Sequence, residues 1–67
     1  MSEVHRFVKR INARLVEVVE LCDPAGRPTR HYRGRVDGRG VWAGKKIDCQ
    51  KYAIAVAEGR LPFPKED

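Results

Sequence analysis

The chain has 67 residues, enough for one small domain that buries about 60% of the surface its unfolded form exposes. A net charge of +5 with 42% hydrophobic residues excludes wholesale disorder and favours negatively charged partners. The apolar runs are too short for a transmembrane helix, and the first ten residues lack the apolar stretch of a secretory signal. We therefore expect a single cytoplasmic domain over residues 1–67 with reduced cysteines.

The N-terminal segment SEVHRFVKRIN, residues 2–12, has helical periodicity. Val4, Phe7, Val8 and Ile11 follow the spacing i, i+3, i+4, i+7, and Ser2 is a suitable N-cap. The segment is therefore predicted to be an amphipathic helix. The same apolar pattern continues through residues 15–22, so a single long N-terminal helix is an alternative.

The middle of the chain has the composition of a β-hairpin. Residues 15–22, LVEVVELC, are rich in β-branched valine, and the turn-forming residues DPAGRP follow them. Residues 29–36, TRHYRGRV, alternate and end at a second turn, DGRG. Two antiparallel strands are the simpler interpretation, and residues 40–43 are expected to add a short third strand.

The C-terminal part predicts a helix followed by an extended tail. Asp48 is a candidate N-cap for CQKYAIAVAE, and Gly59 is expected to end the helix. The prolines in residues 61–67 prevent further helix, and Leu61 and Phe63 are expected to fold back over the core. The predicted fold class is α+β, a small antiparallel hairpin or three-stranded sheet packed by one or two helices. The alternative is a mostly α protein with a long N-terminal helix.

The positive charge is concentrated in the middle third of the chain. Residues 24–46 carry seven basic side chains against Asp37, whereas the other 44 residues carry seven basic and eight acidic groups. Guanidinium groups contact phosphate bidentately, and aromatic rings stack on bases. We therefore expect residues 27–46 to bind DNA or RNA through an Arg-rich β segment. The candidate binding residues are Arg27, Arg30, Tyr32, Arg33, Arg35, Arg39, Trp42, Lys45 and Lys46.

Three other interpretations of the basic segment remain open. The same cationic surface is suited to an acidic protein, which would make the chain an interaction module or an inhibitor of the kind that mobile elements encode. Arginines on a small sheet also serve as solvated surface that protects an edge strand from aggregation. A homodimer interface built from Trp42, Leu61, Phe63 and the valines is a further alternative.

The sequence lacks the residue combinations that the common catalytic and metal sites need. Ser2 is the only serine and lies at the terminus, so a serine nucleophile with a positioned base is not expected. Cys22, Cys49, His5 and His31 lack the closely spaced pairs of a zinc site. Both cysteines are better explained as buried structural residues, with a disulfide between them as the alternative. We therefore expect no enzymatic activity, no metal and no cofactor.

Overall fold

A computed structural model of the protein describes residues 2–65, which form an antiparallel sheet followed by one helix. The sheet is a four-stranded meander in the order β1-β2-β3-β4. Its elements are β1 (Ser2–Ile11), β2 (Arg14–Cys22), β3 (Pro28–Val36), β4 (Arg39–Gly44) and α1 (Lys46–Ala57). The α+β fold class, the hairpin and the strand after it are confirmed. Glu66 and Asp67, the end of the expected tail, lie outside the described residues.

The predicted N-terminal helix is wrong, because residues 2–11 form the edge strand β1. A β-bulge explains the helical spacing. The register of β1 against β2 shifts between His5 and Phe7, so Arg6 is an extra residue in β1. The extra residue brings Val4 and Phe7 to the same face of the sheet although they are three positions apart. Ile11 lies on that face as well, whereas Val8 lies on the opposite face and is 55% exposed. The bulged strand therefore reproduces three of the four apolar positions of the predicted amphipathic helix.

The connections between the strands are tight turns. Asn12 and Ala13 join β1 to β2 with φ of 51° and 64°, and Asp37 and Gly38 join β3 to β4 with φ of 52° and 80°. Two-residue hairpin turns with positive φ match the twist of the flanking strands. The β2–β3 turn is organised by the Asp23 carboxylate, which accepts hydrogen bonds from two backbone amides at 2.8 and 2.9 Å.

The helix begins earlier than the sequence predicts. Lys45 is its N-cap residue and provides no side-chain cap, so the expected capping role of Asp48 is wrong and Asp48 lies within the first turn. The predicted end at Gly59 is confirmed. Gly59 has φ 81° and donates to the Val56 carbonyl at 3.1 Å, while the Arg60 amide donates to the Ala55 carbonyl at 2.8 Å. This pair of bonds is a Schellman motif, which turns the chain back along the helix.

The core lies between α1 and one face of the sheet, mainly over β2, β3 and β4. Small helix residues allow the helix to approach the valines of the strands closely. Cys22 and Cys49 are buried as free thiols, as the sequence predicts. The core cluster comprises Val16, Val36, Val41, Ala53, Val56 and Ala57, against which Phe7, Ile11, Ile54 and Phe63 pack. No helix among residues 2–65 is long and apolar enough to span a membrane.

Gly34 of β3 allows the closest contact between the sheet and the helix. A Cβ atom added at Gly34 would lie 2.8 Å from the carbonyl oxygen of Cys49. Cβ atoms in folded proteins do not come this close to a neighbouring atom. The first turns of α1 therefore rest directly on the backbone of β3. This contact fixes the start of the helix relative to the strands that carry the basic segment.

The face of the sheet opposite the helix is covered by ion pairs. Arg35 of β3 reaches across β2 to pair with Glu3 of β1, and His5 contacts Glu17 at 2.7 Å. Val19, which lies on this face between His5 and Arg33 in the strand register, is fully buried. Long charged side chains shield apolar area with their aliphatic stems. The Arg35–Glu3 pair therefore spans three strands on the second face of this small domain.

Candidate nucleic-acid interface

Four predicted binding residues lie at the end of the sheet where β3 begins, β4 ends and α1 starts, with Arg33 on the face opposite α1. Arg33 is opposite Ala43 and Tyr32 is opposite Gly44 in the β3–β4 register, so Lys45 follows directly beside the first half of β3. All four are exposed, and none has an ion-pair partner among residues 2–65. We call this surface the basic corner; it consists of Arg30, Arg33, Lys45 and Lys46.

An aromatic pair flanks the basic corner on the helix side of β4. The rings of Trp42 and Tyr52 are stacked, with centroids 4.0 Å apart and an interplanar angle of 4°. Trp42 is 40% exposed and Tyr52 is 39% exposed, so the pair is open to solvent. Because Trp42 and Lys45 belong to the same stretch of chain, the pair and the corner are adjacent.

Other predicted residues are engaged within the protein. Arg27 pairs with Asp23 at 3.7 Å inside the β2–β3 turn, and Arg35 pairs with Glu3. Arg39 lies at the opposite end of the β3–β4 hairpin, beside Val36, with its guanidinium carbon 4.4 Å from the centroid of the Phe63 ring. The structure thus brings together only part of the cationic segment that the sequence marks.

Arg30 owes its position to a buried carboxylate. It has φ 63° in an irregular part of β3, and its backbone amide donates to Glu20 at 3.0 Å. The other Glu20 oxygen accepts from Arg6 Nε at 2.9 Å. Burial opposes ionisation of Glu20, but the Arg30 amide, the Arg6 guanidinium and Tyr32 outweigh it, so the pKa of Glu20 is lowered.

The lowered pKa of Glu20 predicts a loss of stability in acid. The ionised carboxylate contributes stability above pH 4.5, its ordinary pKa, and that contribution disappears as the pH falls through the lowered value. We expect Glu20→Gln to be less stable than the wild type at pH 7 and to lose less stability between pH 7 and pH 3. Urea denaturation at both pH values measures this.

Glu58→Gln is the matched control, since Glu58 is an exposed glutamate that pairs with Arg60 at 2.7 Å. Exposed pairs of this kind contribute little, so the control is expected to follow the wild type. A Glu20→Gln variant with the acid sensitivity of the wild type would contradict the role assigned to this carboxylate.

The surrounding charges leave the basic corner cationic. Of the seven acidic side chains of residues 2–65, five pair with arginines, Glu17 contacts His5, and Asp48 is the remaining one. Asp48 is half-buried in the first turn of α1, two positions after Lys46. Beside the four exposed cations, Glu20 is already paired with Arg6 and Asp48 is the one carboxylate of the described residues without a charged partner. The positive end of the helix dipole adds to the field.

Tyr52 is the site residue that sequence reasoning missed as a binding residue. Its side chain projects from α1 and its ring stacks on that of Trp42. Only the position of α1 relative to β4 reveals this contact. The spacing of apolar residues along α1 does not predict the contact between Tyr52 and Trp42.

Comparisons with protein-family models, with curated proteins and with solved structures give no match to this chain. Within the described part of the chain, no three His, Cys, Asp or Glu side chains are grouped so that they could hold a metal ion. The functional interpretation therefore depends on the charges and rings of the basic corner and the aromatic pair.

Proposed function

We propose that this protein is a small accessory protein that binds nucleic acid through the basic corner, with the aromatic pair beside it. The main support is that four exposed cations lie at this one end of the sheet without ion-pair partners among residues 2–65, although most acids elsewhere are paired. Its expected place of action is the cytoplasm, where thiols such as Cys22 and Cys49 remain reduced.

The chemistry of the corner suits phosphate. Arg30 and Arg33 offer planar guanidinium groups that bind phosphate oxygens bidentately, while Lys45 and Lys46 act as mobile point charges. Each phosphate neutralised releases condensed counterions, which makes such binding favourable at low salt and weak at high salt. Exposed cations lose little on binding, since they have no internal partner to give up.

The geometry of the corner also suits a chain of phosphates. Arg30 is fixed by Glu20, Arg33 lies on a paired strand, and Lys46 begins a helix that rests on β3. A polyanion would therefore meet charges held by three elements that are already ordered. Binding then needs little rearrangement of the backbone, which reduces its entropic cost.

The test is the salt dependence of binding to a fluorescent single-stranded oligonucleotide, measured by anisotropy. The slope of log K against log salt is about −0.7 for each phosphate contact with a single strand. We expect the double variant Arg33→Ala, Lys45→Ala to reduce the magnitude of the slope by about 1.4 and to weaken binding. Duplex DNA and RNA of the same length identify which nucleic acid is preferred.

The matched control is the double variant Lys9→Ala, Arg10→Ala. These exposed cations also lack ion-pair partners among residues 2–65, but they lie on β1 at the other edge of the sheet. The control should keep the wild-type slope. Equal losses in the two double variants would mean that net charge, and not the basic corner, drives binding, and no binding at low salt would refute the proposal.

An acidic protein is a second candidate partner for the same surface. Ile47, next to Lys46, is 60% exposed, and an apolar side chain beside cations is typical of a protein interface. In that case the purified protein would not bind oligonucleotides. It would instead retain a partner after nuclease treatment, and the Arg33→Ala, Lys45→Ala variant would lose that partner.

A further inference from the structure

We infer that the cavity beside Tyr52 receives an unpaired base of the bound strand, so the preferred ligand is single-stranded. This inference rests on the proposed function. The cavity has a volume of about 440 Å³, within the range of small-molecule sites, and is a shallow depression largely open to solvent. Its lining residues are Lys51, Tyr52, Ile54, Ala55, Arg60 and Leu61.

The wall of the cavity is built by the chain reversal at the end of α1. The amides of Arg60 and Leu61 both donate to the Ala55 carbonyl, at 2.8 and 3.3 Å. These bonds hold the segment after Gly59 against the side of the helix. The cavity is therefore formed by ordered backbone, and Leu61 is fixed across from the helix surface.

The lining combines the two features that a nucleotide needs. Tyr52, Ile54 and Leu61 supply an aromatic ring and apolar walls, while Lys51 and Arg60 supply positive charge. Arg60 already pairs with Glu58, an exposed contact that a phosphate can replace at small cost. Aromatic and apolar surface next to cations matches a base attached to its phosphate.

Tyr52 links the cavity to the basic corner. Tyr52 lines the cavity and its ring stacks on Trp42 of β4, the strand that Lys45 directly follows. A strand that contacts the corner through phosphates therefore passes the aromatic pair before it reaches the cavity. Bases within a duplex are stacked on each other and unavailable to such a site, whereas those of a single strand are free to enter.

The experiment compares a twelve-nucleotide oligothymidylate with an abasic strand of the same length and charge. Stacking contributes about 1–3 kcal/mol per base, so we expect the wild type to prefer the base-containing strand by about fivefold or more. Trp42 is the sole tryptophan, and its fluorescence should be quenched by oligothymidylate and not by the abasic strand. A duplex of the same length should bind more weakly than the single strand.

Two variants test the cavity itself. Tyr52→Leu keeps apolar bulk but removes the ring, and Leu61→Asp places a carboxylate in the cavity; both should lose the preference for bases and keep the salt dependence of the basic corner. Ile47→Ala, an exposed helix position outside the cavity lining, is the control and should keep the preference.

The outcomes separate this inference from the proposed function. Equal binding of the two strands, with a salt slope that depends on Arg33 and Lys45, would overturn the base site and leave the nucleic-acid interface intact. A duplex bound as tightly as the single strand would also overturn it. Binding of neither strand would refute both.

Discussion

Gly34→Ala is expected to destabilise the protein by about 1–3 kcal/mol, the usual cost of forcing an extra group into a packed interior. The added methyl group would lie 2.8 Å from the Cys49 carbonyl oxygen, which is backbone and cannot rotate away. A domain of this size has a total stability of about 3–10 kcal/mol, so the loss would be a large fraction of it. Urea denaturation followed by circular dichroism measures the change.

Gly40→Ala is the matched control on the neighbouring strand. A methyl group at Gly40 meets no atom within 4 Å, and Gly40 has no positive φ. Replacing such a glycine by alanine leaves stability unchanged or raises it by a few tenths of a kcal/mol, because the unfolded chain loses freedom. Similar stabilities for the two variants would show that α1 does not depend on a close approach at Gly34.

Phe63→Ala is expected to destabilise the protein by about 2 kcal/mol. The half-buried ring packs against the core cluster, and Arg14 and Arg39 lie over it at 4.9 and 4.4 Å from its centroid. The change removes apolar burial together with two cation–π contacts of about 0.5–1 kcal/mol each. Thermal denaturation should show a lower midpoint than in the wild type.

Phe63→Leu distinguishes the two contributions, because leucine keeps apolar contact and has no ring. It should recover part of the stability that Phe63→Ala loses. Leu61→Ala, which shortens a more exposed neighbour, should cost less than Phe63→Ala. A Phe63→Ala variant as stable as the wild type would mean that the segment after Gly59 contributes nothing to the fold.

The sequence predicts the regular parts of this fold well. The valines of β2, the turn residues on either side of β3 and the C-terminal helix that ends before Gly59 all have local signals that the structure confirms, although the helix begins at Lys46 and not after Asp48. The helix predicted for residues 2–11 is wrong because one bulge residue, Arg6, gives part of a strand the spacing of a helix. The Asn12–Ala13 turn also lacks the glycine that marks most two-residue hairpins.

Only part of the candidate site can be predicted from the sequence. The excess of positive charge in residues 24–46 is visible, but its division into free and paired cations depends on distant partners. Glu3, which pairs with Arg35, is 32 positions away in the chain. The contact between Trp42 and Tyr52 depends in the same way on how α1 lies against β4, which only the tertiary structure determines.

The bulge at Arg6 has a consequence for how copies of this protein behave at high concentration. β1 is a long edge strand, and such strands recruit further strands through their unpaired backbone groups. An extra residue in mid-strand breaks the regular row of donors and acceptors, and charged side chains such as Lys9 repel an identical neighbour. The β-bulge at Arg6, which gives the strand the apolar spacing of a helix, thus also opposes fibril-like association of β1 strands.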